Sequence, residues 1–235
     1  MFLTRFRINT ARLGARRLLS SPQAMHAAVL SSFPDMLPTG PETPRVLWRM
    51  DHNAAAEVLL FIVSPTQPDL THLVEQSGWP AAAAAGTRGW QTYSYAPFLE
   101  RLGEGSSWGF RLTANPVHSV RNADGVPLKR TAHLVPKYQL QWLLDRQKAN
   151  GFHILDKPEE KRLTEHGDEH QVIVRDQRDL DFSKRGEKAR VTIKTVTYEG
   201  RLEVTDPVAL RTMLTGGLGK AKAYGCGLMT LAPTR

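Results

Sequence analysis

Gly217-Leu218-Gly219-Lys220-Ala221-Lys222-Ala223-Tyr224-Gly225-Cys226-Gly227-Leu228-Met229-Thr230-Leu231 is the most specific stretch of this 235-residue chain. Two Gly-apolar-Gly triplets stand five residues apart and run into an apolar segment. Glycines at this spacing permit close backbone approach, and Lys220 and Lys222 put positive charge beside N–H groups able to face a phosphate. The stretch is not a P-loop, because Ala221 follows Gly219-Lys220 where a Ser or Thr is needed, and it is not a dinucleotide fingerprint. On spacing alone it reads equally as a glycine-rich helix stop leading into an edge strand over Cys226 to Leu231. Upstream, Asp206-Pro207 caps a short helix ending at Gly216, and Val191 to Val204 is strand, broken at Glu199-Gly200. The chain therefore ends strand, helix, glycine loop, strand.

Working back, Pro136 opens a helix with Tyr138, Trp142 and the i, i+4 pair Leu140 and Leu144, stopped by Asn150-Gly151. The polar, basic stretch from Arg121 to Arg130 suits a hairpin or long loop. Residues 157–170 and 176–190 are charge-dense, the composition of mobile loops. In the first half, Phe2, Thr4, Phe6 and Ile8 alternate with Leu3, Arg5, Arg7 and Asn9, a strand with one apolar and one basic face. A loop rich in arginine around Gly14 follows, then a helix capped by Ser20 or Ser21 with Pro22 in its first turn. Strands are expected near 46–51 and 57–63 and a short helix near 69–76, and prolines and glycines mark loops through the rest of 64–107. Trp108, Phe110, Leu112 and Ala114 alternate cleanly as a further strand. Each half approximates strand, helix, strand, strand, helix, strand, so the sequence predicts an α+β protein of two tandem ferredoxin-like (βαββαβ) domains, 1–115 and 116–235. The division falls at Asn115-Pro116, where proline pushes the preceding residue toward extended backbone.

Composition narrows the function. Lys and Arg number 31 against 23 Asp and Glu, a formal charge of +8, which points to a polyanionic partner. A hydrophobic content of 41% excludes a disordered basic tail. One cysteine, Cys226, excludes a disulfide framework and Cys-rich metal sites and suits a reducing cytoplasm. No apolar run approaches a membrane span. Residues 1–115 carry net +2 and residues 116–235 net +6, and the chain is free of acids before Asp35. That basic opening also has the composition of a transit peptide, against which stands its strand-like alternation. His166 and His170 have metal-like spacing, but they lie in a charged segment with no cysteine pair, and no metal is expected there.

The glycine pattern and the strand ending at Ala232-Pro233 resemble the C-terminal loop of CRISPR repeat-associated proteins, and most closely the CasE family. Other segments agree: Met1-Phe2-Leu3-Thr4-Arg5, Met25-His26, Arg111-Leu112-Thr113-Ala114-Asn115-Pro116, Trp142-Leu143, and Tyr198-Glu199-Gly200-Arg201-Leu202-Glu203-Val204. These markers run from residue 1 to 233 and set the transit-peptide reading aside. The resemblance implies a cytoplasmic, metal-independent endoribonuclease without cofactor, working on the CRISPR repeat RNA hairpin. It would leave a 2′,3′-cyclic phosphate and a 5′-hydroxyl and stay on the mature crRNA with the other Cascade subunits.

The resemblance also assigns His26 as the catalytic histidine; taken alone, His26 reads as an ordinary surface or core histidine. The tyrosine that well-known relatives carry three residues earlier is Gln23 here. An amide can donate a hydrogen bond to a phosphate but cannot exchange a proton near neutral pH. Gln23 therefore leaves open a second reading, a hairpin-binding subunit without turnover, beside the third and least favoured one of an unrelated basic α+β protein. Lys184 and Arg185 are candidates for catalytic support. Arg16, Arg17, Arg121, Lys129, Arg130, Lys188, Arg190, Lys220 and Lys222 are candidates for RNA contact, with solvated charge as the alternative, and Gly217, Gly219, Gly225 and Gly227 form the loop.

Overall fold

The computed structural model describes residues 1–34, 45–54, 57–80, 88–121, 126–164, 167–183 and 190–234. Phe2–Ile8 is a strand, β1, with Thr4, Phe6 and Ile8 buried and Arg5 and Arg7 exposed, as the alternation requires. The arginine-rich segment after it is a helix, Leu13–Leu19 (α1), where a loop was expected. Arginine is a good helix former, and burial of Ala15 and Leu18 secures the turn. Gly14 lets the helix pass tightly over the chain, since a Cβ there would collide with the Gln76 carbonyl. Pro22–Leu30 (α2) follows. Ser21 is its cap, its Oγ accepting from the Ala24 N–H at 3.2 Å, and Pro22 takes the first helical position.

Leu47–Ala54 (β2), Glu57–Ser64 (β3), Thr71–Ser77 (α3) and Trp90–Ser94 (β4) complete the first unit. Its sheet runs β2-β3-β1-β4 with all neighbours antiparallel. One face of the sheet buries Phe6, Ile8, Val58, Leu60 and Ile62 against Leu18, Met25, Val29 and Leu73 of the helices.

Ala96–Glu100 (α4) leads to Ser107–Ala114 (β5), followed by the hairpin Val117–Arg121 (β6) and Pro127–Ala132 (β7). Then come Pro136–Gln147 (α5), Phe152–Ile154 (β8), Val172–Ser183 (β9), Arg190–Val204 (β10), Pro207–Gly216 (α6) and Met229–Pro233 (β11). The second sheet runs β11-β5-β10-β8, again antiparallel, and β9 pairs with β10 as a long ribbon. The strand expected to close the first half, β5, thus lies inside the second sheet, and the change of sheet falls between Ser94 and Ser107. Alternation identifies a strand but not its partner: Phe110, Leu112 and Ala114 pack with Val196, Tyr198 and Leu202. Counted from β1 and from β5, the core strands of both sheets stand in the order fourth, first, third, second.

Two more expectations change. β10 is continuous through Glu199-Gly200, because Gly200 lets the Gln171-Val172 backbone come too close for a Cβ. Residues 176–183 are strand, and two of their acids are partnered across the ribbon: Lys194 Nζ lies 2.6 Å from Asp179, and Thr192 Oγ1 donates to Asp181 at 2.5 Å. Asp156 and His170 form an isolated antiparallel bridge across the other charge-dense segment.

The sheets are tied through a buried arginine. Arg49 on β2, 1% exposed, donates Nε and Nη2 to the two carboxylate oxygens of Asp51 at 2.6 and 2.8 Å. Its remaining donors reach the carbonyls of Arg111 and Leu228 and the hydroxyl of Thr230, at 2.7, 3.0 and 2.8 Å, all on the second unit. Leu47 and Val63, also from the first sheet, complete the core of the second. Among the described residues no helix is long and apolar enough to cross a membrane.

Candidate functional site

His26 sits in α2, on the fifth residue after the Ser21 cap, and is half-buried. Its ring faces Tyr224 of the glycine loop, centroids 6.4 Å apart and planes tilted by 56°. Tyr224 in turn lies against Phe182 near the end of β9, at 4.6 Å. One corner thus gathers a helix of the first unit, the C-terminal loop and the ribbon of the second. Burial lowers the His26 pKa below 6.5, so its neutral form dominates at pH 7. Its Nδ1 is buried without a hydrogen-bond partner among the described residues. Arg16 and Arg17, in the last turn of α1 just before α2, are exposed and make no ion pair among the described residues.

The four glycines of the loop all have positive φ, between 78° and 90°. Their freedom serves packing inside the protein: an added Cβ would strike Leu47 at Gly217, Trp142 at Gly219, Trp48 at Gly225 and the Leu218 carbonyl at Gly227. Four loop N–H groups are likewise used internally, Gly217 to Met213 O, Leu218 to Gly227 O, Tyr224 to Ala221 O and Gly227 to Thr113 O, at 2.7, 2.9, 2.9 and 2.7 Å. The loop is a clamp over two tryptophans that delivers Tyr224 to His26. Lys222 is part of that clamp, its Nζ donating to the Gly216 carbonyl at 2.6 Å, and burial followed by the charges of Arg45 and Lys220 lowers its pKa. Lys220 is exposed and makes no ion pair among the described residues. Cys226, wholly buried beneath the loop, has its thiol pushed up to about 12 by burial.

A cleft of about 130 Å³ opens beside this corner. Leu18, Met25 and Tyr224 form its apolar side, and Asp51, His52, Arg111, Arg175, Asp176 and Arg178 its polar side. Sequence reading missed this polar set. Arg49 and Asp51 are i, i+2 neighbours on one face of a largely apolar strand, and that opposite-charge pair was the available signal. Burial would raise the Asp51 pKa, but the hydrogen bonds and charges of Arg49 and Arg111 outweigh it and hold the carboxyl below its usual value. Glu199 behaves alike between Arg111 and Arg175. Arg178 makes no ion pair among the described residues, and its charge, after burial, lowers the His52 pKa.

Of the remaining candidates, Arg190 is exposed and 3.9 Å from Asp181. Arg130 is exposed on β7, and Arg121 and Lys129 lie on β6 and β7. Lys184, Arg185 and Lys188 lie outside the described residues, as does His166, while His170 Nδ1 is 2.9 Å from Asp156. Gln23 is in the first turn of α2, on the same face as His26. Among the described residues no group of three His, Cys, Asp or Glu side chains converges to hold a metal ion.

Fold and site together define a class: basic α+β proteins of two antiparallel sheets, with one half-buried histidine where the units meet and exposed arginines leading into its helix. Comparison with known proteins supplies the particular member of that class. The family described as CRISPR associated protein matches residues 1–233, and the chain belongs to it, within the Cse3/CasE group of CRISPR-associated endoribonucleases. It is 32% identical over 236 residues to the CRISPR-associated endoribonuclease Cse3 of Thermus thermophilus, covering 99% of this chain and all of that one. It is 29% identical over 203 residues to the Cascade subunit CasE of Escherichia coli, covering 80% and 88%. A solved structure of Thermus thermophilus Cse3, bound to an RNA representing a pre-cleavage complex, superposes with a TM-score of 0.74 at 29% identity, over 99% of this chain and 98% of that one.

Proposed function

We propose that the chain is a metal-independent endoribonuclease that binds the CRISPR repeat hairpin, cuts it, and stays on the mature crRNA as a subunit of a cytoplasmic Cascade complex. The observation that carries this reading is the corner where neutral His26 meets Tyr224 of the glycine loop behind the cations of α1. In the reaction, a ribose 2′-OH attacks its own 3′-phosphate, giving a 2′,3′-cyclic phosphate and a 5′-hydroxyl. His26, neutral at pH 7, accepts the 2′-OH proton as the phosphorus–O5′ bond breaks and solvent water protonates the departing 5′-oxygen; a positioned base contributes about 10² to 10⁴ in rate. Arg16 and Arg17, with Lys184 and Arg185, supply charge for the crowded phosphate. Arg121, Lys129, Arg130, Lys188, Arg190 and Lys220 take the stem and flanks. Lys222 acts indirectly, by closing the loop. We also assign both units to the ferredoxin-like fold, with the strand order fourth, first, third, second as support, and divide them ahead of Ser107.

The test is cleavage of repeat RNA in EDTA with end-group analysis. Activity in EDTA with a 2′,3′-cyclic phosphate end is expected, and a 3′-hydroxyl product would reject the mechanism. His26→Ala is expected to lose about 10² to 10⁴ in rate while keeping RNA affinity. Because burial sets the His26 pKa below 6.5, cleavage should hold from neutral pH upward and fall as pH drops through that lowered value. A rate that instead rises on acidification would make His26 the acid. Gln23 favours the second reading, a hairpin-binding subunit without turnover, and tight binding with no cleavage by the wild type would establish it.

A further inference from the structure

The catalytic corner leaves unused a row of three aromatic rings: His118 on β6, His133 just after β7, and Tyr138 in the first turn of α5. The centroids of His118 and His133 are 4.4 Å apart with planes 29° from parallel, and those of His133 and Tyr138 are 6.1 Å apart at 27°. Register builds the row. His118 pairs with Thr131, and His133, two residues on, falls on the same face as its diagonal neighbour. The middle ring is held at its backbone: the His133 N–H donates to the Pro116 carbonyl, and its own carbonyl accepts from Nε2 of buried Gln139, both at 2.9 Å.

Both ends of the row open to solvent. His118 is exposed, and Tyr138 is 56% exposed beside Leu134 and Val135. Burial, then the neighbouring His118 and Arg146, lower the His133 pKa, so the middle ring is largely neutral at pH 7. Arg146 close to His133, with exposed Lys137 next to Tyr138, adds positive charge at this end. Stacked rings with open faces and cations alongside are the equipment that holds a single unpaired base, which brings both a π face and a phosphate.

We infer that the His118–His133–Tyr138 row is a stacking platform for one unpaired nucleobase of the bound RNA, in the loop or a flank of the hairpin. The inference rests on the RNA-binding reading above and adds a contact set apart from the cut. It is tested by measuring the affinity of the full-length protein for repeat RNA, with single abasic sites placed in turn through loop and flanks. Tyr138→Ala should weaken binding about tenfold and Tyr138→Trp should retain it. One abasic position should weaken wild-type binding similarly and have no further effect in Tyr138→Ala. His118→Ala, an exposed hairpin position, is the second variant should Tyr138→Ala disturb folding. Wild-type affinity in both alanine variants, or abasic penalties that persist undiminished in them, would overturn the platform. Loss of assembly with purified Cascade subunits while RNA affinity stays intact would overturn it in favour of a protein contact. A wild-type protein that ignores the hairpin altogether would reject the RNA-binding reading itself.

Discussion

Arg49 and the pair Arg16 and Arg17 are the same residue type put to opposite uses. Arg49 is sunk between the two sheets, and its guanidinium is committed to Asp51, two carbonyls and a hydroxyl. Arg16 and Arg17 stand exposed at the end of α1 with no ion pair among the described residues. The first kind fixes how β2 meets the second sheet. The second kind leaves its charge facing solvent. A net charge of +8 does not separate these roles, because a cation saturated inside the fold adds to the sum but offers nothing to a phosphate.

The contrast breaks most readily at Arg49. Arg49→Ala leaves Asp51 buried without its main partner and should cost about 3 to 5 kcal/mol in denaturant unfolding, the range for breaking one side of a buried pair. Acid should probe the same network more gently. A carboxyl held below its ordinary pKa of 3.8 stabilises the fold above that pH, and the contribution is lost as pH falls through the lowered value. An acid-unfolding midpoint that moves to higher pH in Arg49→Met would tie the loss to this pair. The smallest effect on stability belongs to Arg16→Ala/Arg17→Ala, within about 0.5 kcal/mol. Its signature should lie in RNA binding, where the slope of log affinity against log salt falls by about 0.7 to 0.9 for each phosphate contact removed. Equal destabilisation by the two sets of variants would erase the distinction.

What the sequence disclosed follows the same division between local and long-range information. β1, β3 and the Asp206-capped α6 were legible because alternation, a short apolar run and a cap are each written in neighbouring residues. β4 escaped notice, since an edge strand such as Trp90–Ser94 buries little and leaves no apolar period. β5 was legible as a strand but not as a member of the second sheet, because its partners Val196 to Glu203 lie 82 to 96 residues away in the chain. In the site, His26 needed the family resemblance, since one histidine on a short helix carries no pattern of its own. The glycines were read equally as close approach to a phosphate and as a helix stop before an edge strand, and it is Trp142 and Trp48 that lie against Gly219 and Gly225. The cleft arginines were missed because only folding brings β2, β5 and β9 together.

Cys226 turns the glycine loop into its own gauge. Its thiol is fully buried, with a pKa pushed up to about 12, so in the closed loop it is both unreachable and almost entirely un-ionised at neutral pH. As the chain holds one cysteine, alkylation by a thiol reagent in excess of what global unfolding allows counts openings of this loop. The labelling rate, with and without bound RNA, therefore reads how often the clamp that carries Tyr224 to His26 lets go.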